Sequence, residues 1–212
     1  WELGRDLCDF LAYRRFRAAA GALRATPAES VLNTELCGYP RNHDYSLASG
    51  RFVAGKRLFS RWRMLSELFD EDMDSFLDIG SSKGFFVFSA ALRPGCGLAC
   101  GIDLHAPFIE TANRVRALLG VEKAAFHLAS LEEVAQNPGR FGAPFHTVML
   151  INTYHYLYWG SGLVDQSMNS HGKILETLAK VCGKRLIFSN PLEVKDATGE
   201  IKTRAAGKEH DY

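Results

Sequence analysis

The chain has 212 residues, 47% hydrophobic and 23% charged, with a formal net charge of +1. That length suits one large α/β domain or a domain with a small appendage, and the 11% aromatic content excludes a disordered chain. No run of about 18 apolar residues occurs, so no membrane span is expected.

Leu3, Leu7, Phe10, Leu11, Phe16 and Leu23 recur at helical spacing with arginines between them, which predicts a helix over residues 3–24 ended by Thr26-Pro27. Residues 27–50, rich in Pro, Gly, Asn and Ser, predict a connecting loop with a short helix near Glu29–Leu36. A second amphipathic helix is expected where Leu58, Trp62, Leu65 and Phe69 share one stripe. Residues 1–55 are therefore expected to form an N-terminal helical region, part of a lid or acceptor site, ahead of a main domain at 56–212. Between residues 10 and 66 stand ten arginines and lysines against Glu29, Glu35 and Asp44. Such an excess attracts an anionic partner, and it is equally what solvated helix faces carry. The chain opens on Trp1 with no charged-then-apolar leader, the pattern of a trimmed chain without a visible secretion signal. Cys8, Cys37, Cys96, Cys100 and Cys182 lack zinc-ligand spacing and read as buried thiols of a reducing, cytoplasmic compartment.

From residue 75 the texture changes. Ser75–Ile79 is a short apolar run containing Asp78, followed by a Gly/Ser turn and a helix over Phe85–Leu92. Leu98–Ile102 is a second such run, closed by Asp103. A helix over 107–119 and a strand over Ala124–Leu128 follow, and Ser130-Leu-Glu-Glu133 matches a capping box that opens a short helix. Thr147–Ile151 is uniformly apolar; an aromatic loop, a helix over His171–Val181 and a strand over Arg185–Ser189 complete the alternation. Strands apolar on both faces, alternating with helices, predict an α/β Rossmann-like three-layer sandwich with a mostly parallel sheet. Beyond Ser189 the residues are Lys/Glu/Gly-rich, so the C-terminal edge strands are expected to be missing or supplied in atypical form by Glu193–Ile201.

The stretch Phe76-Leu-Asp-Ile-Gly-Ser-Ser-Lys-Gly-Phe-Phe86 carries the strongest chemical signal. An apolar strand delivers Asp78, and Gly80 and Gly84 bracket a tight turn where the backbone can approach a ligand closely. Lys83 within it is expected at the solvent. An acid at the end of the next strand, Asp103, can accept both hydroxyls of a ribose lying across the edge of an open α/β sheet. A dinucleotide fingerprint would need Gly-x-Gly-x-x-Gly, and a P-loop Gly-x-x-x-x-Gly-Lys-Ser/Thr; Gly80 and Gly84 fit neither. Neither a Gly-x-Ser-x-Gly elbow nor a His/Cys/carboxylate cluster of zinc spacing is present, so no metal is expected.

At these residues the chain resembles the class I, Rossmann-like S-adenosylmethionine-dependent methyltransferases. Their first motif runs acid-x-Gly-x-Gly-x-Gly, and here it reads Asp78-Ile-Gly80-Ser81-Ser82-Lys-Gly84, with Ser82 in place of the middle glycine. The resemblance covers residues 55–190 and implies S-adenosyl-L-methionine as cofactor. It implies cofactor contacts at Asp78, Gly80, Ser81 and Gly84, at Asp103 and Leu104, at Ser130 and Leu131 after the third strand, and at Asn152 after the fourth. Asn190-Pro191 follows the fifth strand, unlike the Asn-Pro-Pro-aromatic motif that amino-methylating relatives carry after the fourth.

The implied activity is methyl transfer by direct in-line displacement. The loop Asn152–Gly160 borders the place where the methyl group should emerge, and His155 there is the candidate catalytic base, with a packed structural histidine as the alternative. Asp165 and His171 are more distant candidates. The arginine excess favours an anionic acceptor such as RNA or a phosphorylated small molecule, whereas the aromatic loop favours a small or hydrophobic one. The alternative function is a non-catalytic S-adenosylmethionine-binding or regulatory partner subunit of the same fold. The oligomeric state is not legible in the sequence.

Overall fold

The computed structural model describes residues 2–38, 40, 43–163, 168–190 and 199–206, without the side chains of residues 2–10 and 200. The chain forms two compact units, Trp1–Asp70 with Glu110–Glu122, and Glu71–Ile109 with Lys123–Tyr212.

The first unit begins with α1 (Glu2–Ala20) and α2 (Pro27–Leu36). Tyr13 and Phe16 of α1 rest on Phe59 of α3 (Lys56–Ser66), with ring centroids 5.5 and 4.8 Å apart. Helix α2 starts on a reciprocal cap: Thr26 Oγ1 accepts from Glu29 N (3.2 Å) and Glu29 Oε2 accepts from Thr26 N (2.7 Å). Between α2 and α3, where the sequence predicts only a connecting loop, lies a hairpin, β1 (Tyr45–Ala48) paired antiparallel with β2 (Arg51–Ala54). Its turn residues Ser49 and Gly50 both have positive φ, 52° and 72°, as a tight two-residue hairpin requires. Two α2 side chains hold the hairpin: Glu29 Oε1 accepts from Gly50 N (2.7 Å), and Asn33 bonds both the N–H and the C=O of Leu47 (2.7 and 3.0 Å). The backbone donors, Thr26 foremost, keep Glu29 below the ordinary carboxylate range against the opposing effect of its burial.

The second unit holds the main sheet. Its strands are β3 (Ser75–Ile79), β4 (Leu98–Asp103), β5 (Ala124–Leu128), β6 (Phe145–Ile151) and β7 (Cys182–Ser189), in the order β5-β4-β3-β6-β7. All four pairings are parallel. Each connection carries a helix: α4 (Phe85–Ala91), α5 (Ala106–Leu119), the short α6 (Leu131–Gln136) and α7 (Pro138–Phe141), then α8 (Tyr154–Trp159) and α9 (His171–Val181). Helix α5 from Glu110 onward packs with the first unit, where Glu35 receives hydrogen bonds from Thr111 Oγ1 (3.0 Å) and the Arg114 guanidinium. Leu77, Ile79, Cys100, Ile102, Val148 and Leu150 are buried together with Leu178 and Val181 of α9, which accounts for the continuously apolar strands. This is the Rossmann-like α/β arrangement the alternation predicts.

Two segments differ from the sequence reading. The aromatic stretch after β6 is mostly helix, α8, because His155, Tyr158 and Trp159 turn one face into the core. Near the C-terminus, α10 (Gly199–Ala205) buries Ile201 and Ala205 in the same core; of the expected atypical strand over Glu193–Ile201, residues up to 198 lie outside the described residues. Cys96 and Cys100 are buried free thiols as expected, while Cys37 is exposed and Cys182 half-buried.

Candidate cofactor and acceptor site

The parallel sheet brings the carboxyl ends of all five strands to one edge, and the described cofactor candidates lie at or just after those ends. Asp78, at the end of β3, is only 4% exposed. The chain then hooks over the neighbouring strand, with the N–H groups of Gly80 and Ser81 both donating to Ile102 O of β4 at 2.9 Å. Gly80, Ser82 and Gly84 have φ of 78°, 50° and 84°. A Cβ on Gly80 would stand 2.5 Å from Thr153 Oγ1, and one on Gly84 would stand 2.5 Å from the Phe126 ring. The glycine spacing therefore serves the packing of this turn against β5 and against the segment after β6.

Asp103 is the centre of the arrangement. Its Oδ2 accepts from Ser82 N (2.8 Å) and its Oδ1 from His105 N (2.9 Å), so one carboxylate joins the glycine turn to the start of α5. Each oxygen keeps acceptor capacity for a ligand hydroxyl. The hydroxyls of Ser81 and Ser82, residues 2% and 5% exposed, and Nδ1 of His105 are buried with no hydrogen-bond partner among the described residues. Unpartnered buried polar atoms around a backbone-anchored carboxylate fit a polar ligand such as the ribosyl and amino-acid parts of S-adenosylmethionine. Lys83, expected at the solvent, is 3% exposed.

The remaining candidates fall into place less uniformly. Leu104 is half-buried beside Asp103. Ser130 is committed as the cap of α6: its Oγ accepts from Glu133 N (3.1 Å) and its N–H donates to Glu133 Oε2 (2.7 Å). The Leu131 side chain is buried in the core, which leaves its backbone to meet a ligand. Asn152 has φ 56° and donates its N–H to Ser189 O (2.8 Å), tying the exit of β6 to the exit of β7. His155, 6% exposed, faces Asn190 Oδ1 across 3.0 Å from its Nδ1. Burial pushes the His155 pKa below 6.5 and the bond to Asn190 partly opposes this, so the ring is neutral at pH 7. His171 is hydrogen-bonded through Nδ1 to the Tyr154 hydroxyl and packs against Tyr158, with centroids 4.7 Å apart. Asp165 lies outside the described residues. Beside the expected residues, Ser82 and His105 stand at Asp103, and Asn190 stands at His155.

No protein-family profile and no curated protein matches the sequence. Solved structures do. The high-resolution structure of WbdD shares 18% identity at a TM-score of 0.55, over 82% of this chain and 38% of that one. A medium-resolution structure of the bifunctional kinase-methyltransferase WbdD gives 18% identity and 0.55, over 82% and 37%. The N-terminal domain of EvdMO1, solved with SAH and D-fucose, gives 19% identity and 0.44, over 59% and 48%. The chain thus spans little more than a third of the WbdD chains it matches. The chain shares the Rossmann-like α/β fold of these WbdD structures.

Proposed function

We propose that this chain is an S-adenosylmethionine-dependent methyltransferase. The observation that carries this reading is Asp103, a carboxylate held by two backbone N–H groups at the end of β4, among buried polar atoms that lack partners. In this reading Asp103 accepts the ribose hydroxyls, and Leu104, Ser130 and Leu131 border the adenine. Asp78, Gly80, Ser81 and Gly84 receive the methionine end. S-adenosylmethionine supplies a methyl group already activated on a sulfonium, so alignment contributes much of the rate. Asn152 completes the cofactor contacts after β6, whereas His155 faces the acceptor and, being neutral, takes up its proton. Tyr158 and Trp159, buried in the core, anchor the helix that carries His155.

The arginine-rich stretch between residues 10 and 66 supports an anionic acceptor, RNA or a phosphorylated small molecule. No described helix is long and apolar enough to cross a membrane, and the free thiols support work in the cytoplasm. Calorimetry with S-adenosylmethionine and S-adenosylhomocysteine tests the cofactor reading, and tritiated-methyl transfer into RNA and into phosphorylated small-molecule pools tests the activity. Absence of binding to either compound refutes the proposal. Binding without transfer to any pool would favour the non-catalytic cofactor-binding subunit.

A further inference from the structure

We infer that Asn190 is a positioning residue for His155, holding the imidazole as the Nδ1–H tautomer so that Nε2 presents its lone pair to the acceptor. This rests on the reading of His155 as the base. Contacts on both flanking segments hold the pair in place. Asn190 directly follows β7, and the adjacent Ser189 carbonyl accepts the Asn152 N–H (2.8 Å), which fixes the exits of β6 and β7 against each other. Thr153, one residue further, lies against the Gly80 turn and donates its own hydroxyl to Ile151 O (3.1 Å). His155 then opens the first turn of α8 with its ring against Tyr156, centroids 4.1 Å apart, and with Nδ1 at 3.0 Å from the amide oxygen of Asn190.

An amide oxygen accepts and cannot donate, so the hydrogen between the two atoms belongs to Nδ1 and the second ring nitrogen is the basic one. A neutral amide in this place has a chemical consequence. A carboxylate would raise the basicity of a buried imidazole, whereas an amide orients the ring without adding a charge beside it. During turnover the acceptor's X–H bond breaks, its proton joins Nε2, and the electron pair stays on the acceptor atom as the nucleophilic pair. The imidazolium keeps its Nδ1–H on the Asn190 oxygen and later releases the Nε2 proton to water. The orienting partner therefore follows β7, while the base stands in α8, after β6.

Two readouts test the inference. Long-range ¹H–¹⁵N correlation spectra of ¹⁵N-histidine-labelled protein with S-adenosylhomocysteine report the His155 tautomer without any acceptor. The Nδ1–H form is expected in the wild type, with loss of that preference in Asn190→Leu and a pKa raised by about one unit in Asn190→Asp. In single-turnover methyl transfer from tritiated S-adenosylmethionine into the RNA and phosphorylated small-molecule pools, Asn190→Leu should be at least about tenfold slower with S-adenosylhomocysteine affinity unchanged. Asn190→Asp should retain turnover with its acid limb displaced to higher pH. An Nε2–H tautomer in the wild type, or a tautomer and pKa untouched in both Asn190 variants, overturns the inference. If His155→Gln keeps the wild-type rate and acid limb, the base reading itself falls. If His155→Gln loses them while the Asn190 variants do not, only the positioning role falls.

Discussion

Removing the Asp103 carboxylate should cost folding as well as ligand binding, and the two costs can be separated. In Asp103→Ala the N–H groups of Ser82 and His105 both lose their acceptor. Ser82 is buried and His105 half-buried, and a buried donor left unsatisfied costs about 1–3 kcal/mol. One full and one partial penalty together give about 2–4 kcal/mol, a large share of the 5–15 kcal/mol typical of a domain. Urea unfolding without ligand should show this as a midpoint lowered by about 1 M or more. Asp103→Asn keeps one acceptor oxygen, so roughly half of that cost should return. The ligand loss should persist, because a neutral amide no longer gives the ribose hydroxyls a charged acceptor. Calorimetry with S-adenosylhomocysteine should then show affinity lowered by about 1.5–3 kcal/mol, roughly 10- to 150-fold. An Asp103→Ala protein with the wild-type urea midpoint would refute the clamp between the turn and α5. An Asp103→Asn protein with wild-type affinity would refute the ribose assignment and leave the clamp standing.

Gly84→Ala should destabilise by about 2–4 kcal/mol in urea unfolding, since it combines a left-handed backbone with a Cβ driven into the Phe126 ring. Glu29→Gln should cost about 1 kcal/mol at pH 7 by weakening the α2 cap and the bond to Gly50. Because the Glu29 pKa is lowered in the fold, its contribution is present above about 4.5 and lost as pH falls through the folded value, so variant and wild type should converge there. His155 is also lowered, from 6.5, so the wild type should lose stability as pH drops below about 6.5 toward the folded value. Urea midpoints between pH 7.5 and 5 should show that slope in the wild type and a flatter one in His155→Gln.

Pattern carried the sheet and lost the places where short-range and long-range signals compete. The three inner strands, β4, β3 and β6, lie in the most continuously apolar runs, because a strand covered on both faces must be apolar throughout, whereas the edge strand β7 exposes Lys184, Leu186 and Phe188. The Ser130 cap was legible because its two partners are three residues apart. The β1–β2 hairpin was not. Its turn, Ser49-Gly50, looks like any loop dipeptide, and its strands are four residues each, stabilised by Glu29 and Asn33 from a distant helix. Helix α8 was hidden in the same way, since tyrosines and tryptophan carry little helical preference of their own and the turn forms by burying them. Lys83 was misjudged because a lone lysine in a glycine turn carries no sign of burial.

The glycine turn forms where the sequence predicts a turn, and its atoms perform more than one task. Gly80 makes room for Thr153, and Gly84 makes room for Phe126. A bulky substitution at either position therefore breaks the joint between the β3 turn and a neighbouring strand before it touches any ligand. Loss of cofactor binding in Gly80→Val would not distinguish a filled ligand space from a displaced Thr153. Asp103 and His155 are better probes, because each can be changed to a side chain of similar size that alters charge or proton capacity while preserving the packing. The same reasoning ranks the candidate site. Residues whose side-chain polar atoms are already spent on the fold, Ser130 above all, can meet a ligand only through backbone. Those with buried polar atoms still unspent, Ser82 and His105 beside Asp103, are where a bound nucleoside should produce the largest change in hydrogen-exchange protection.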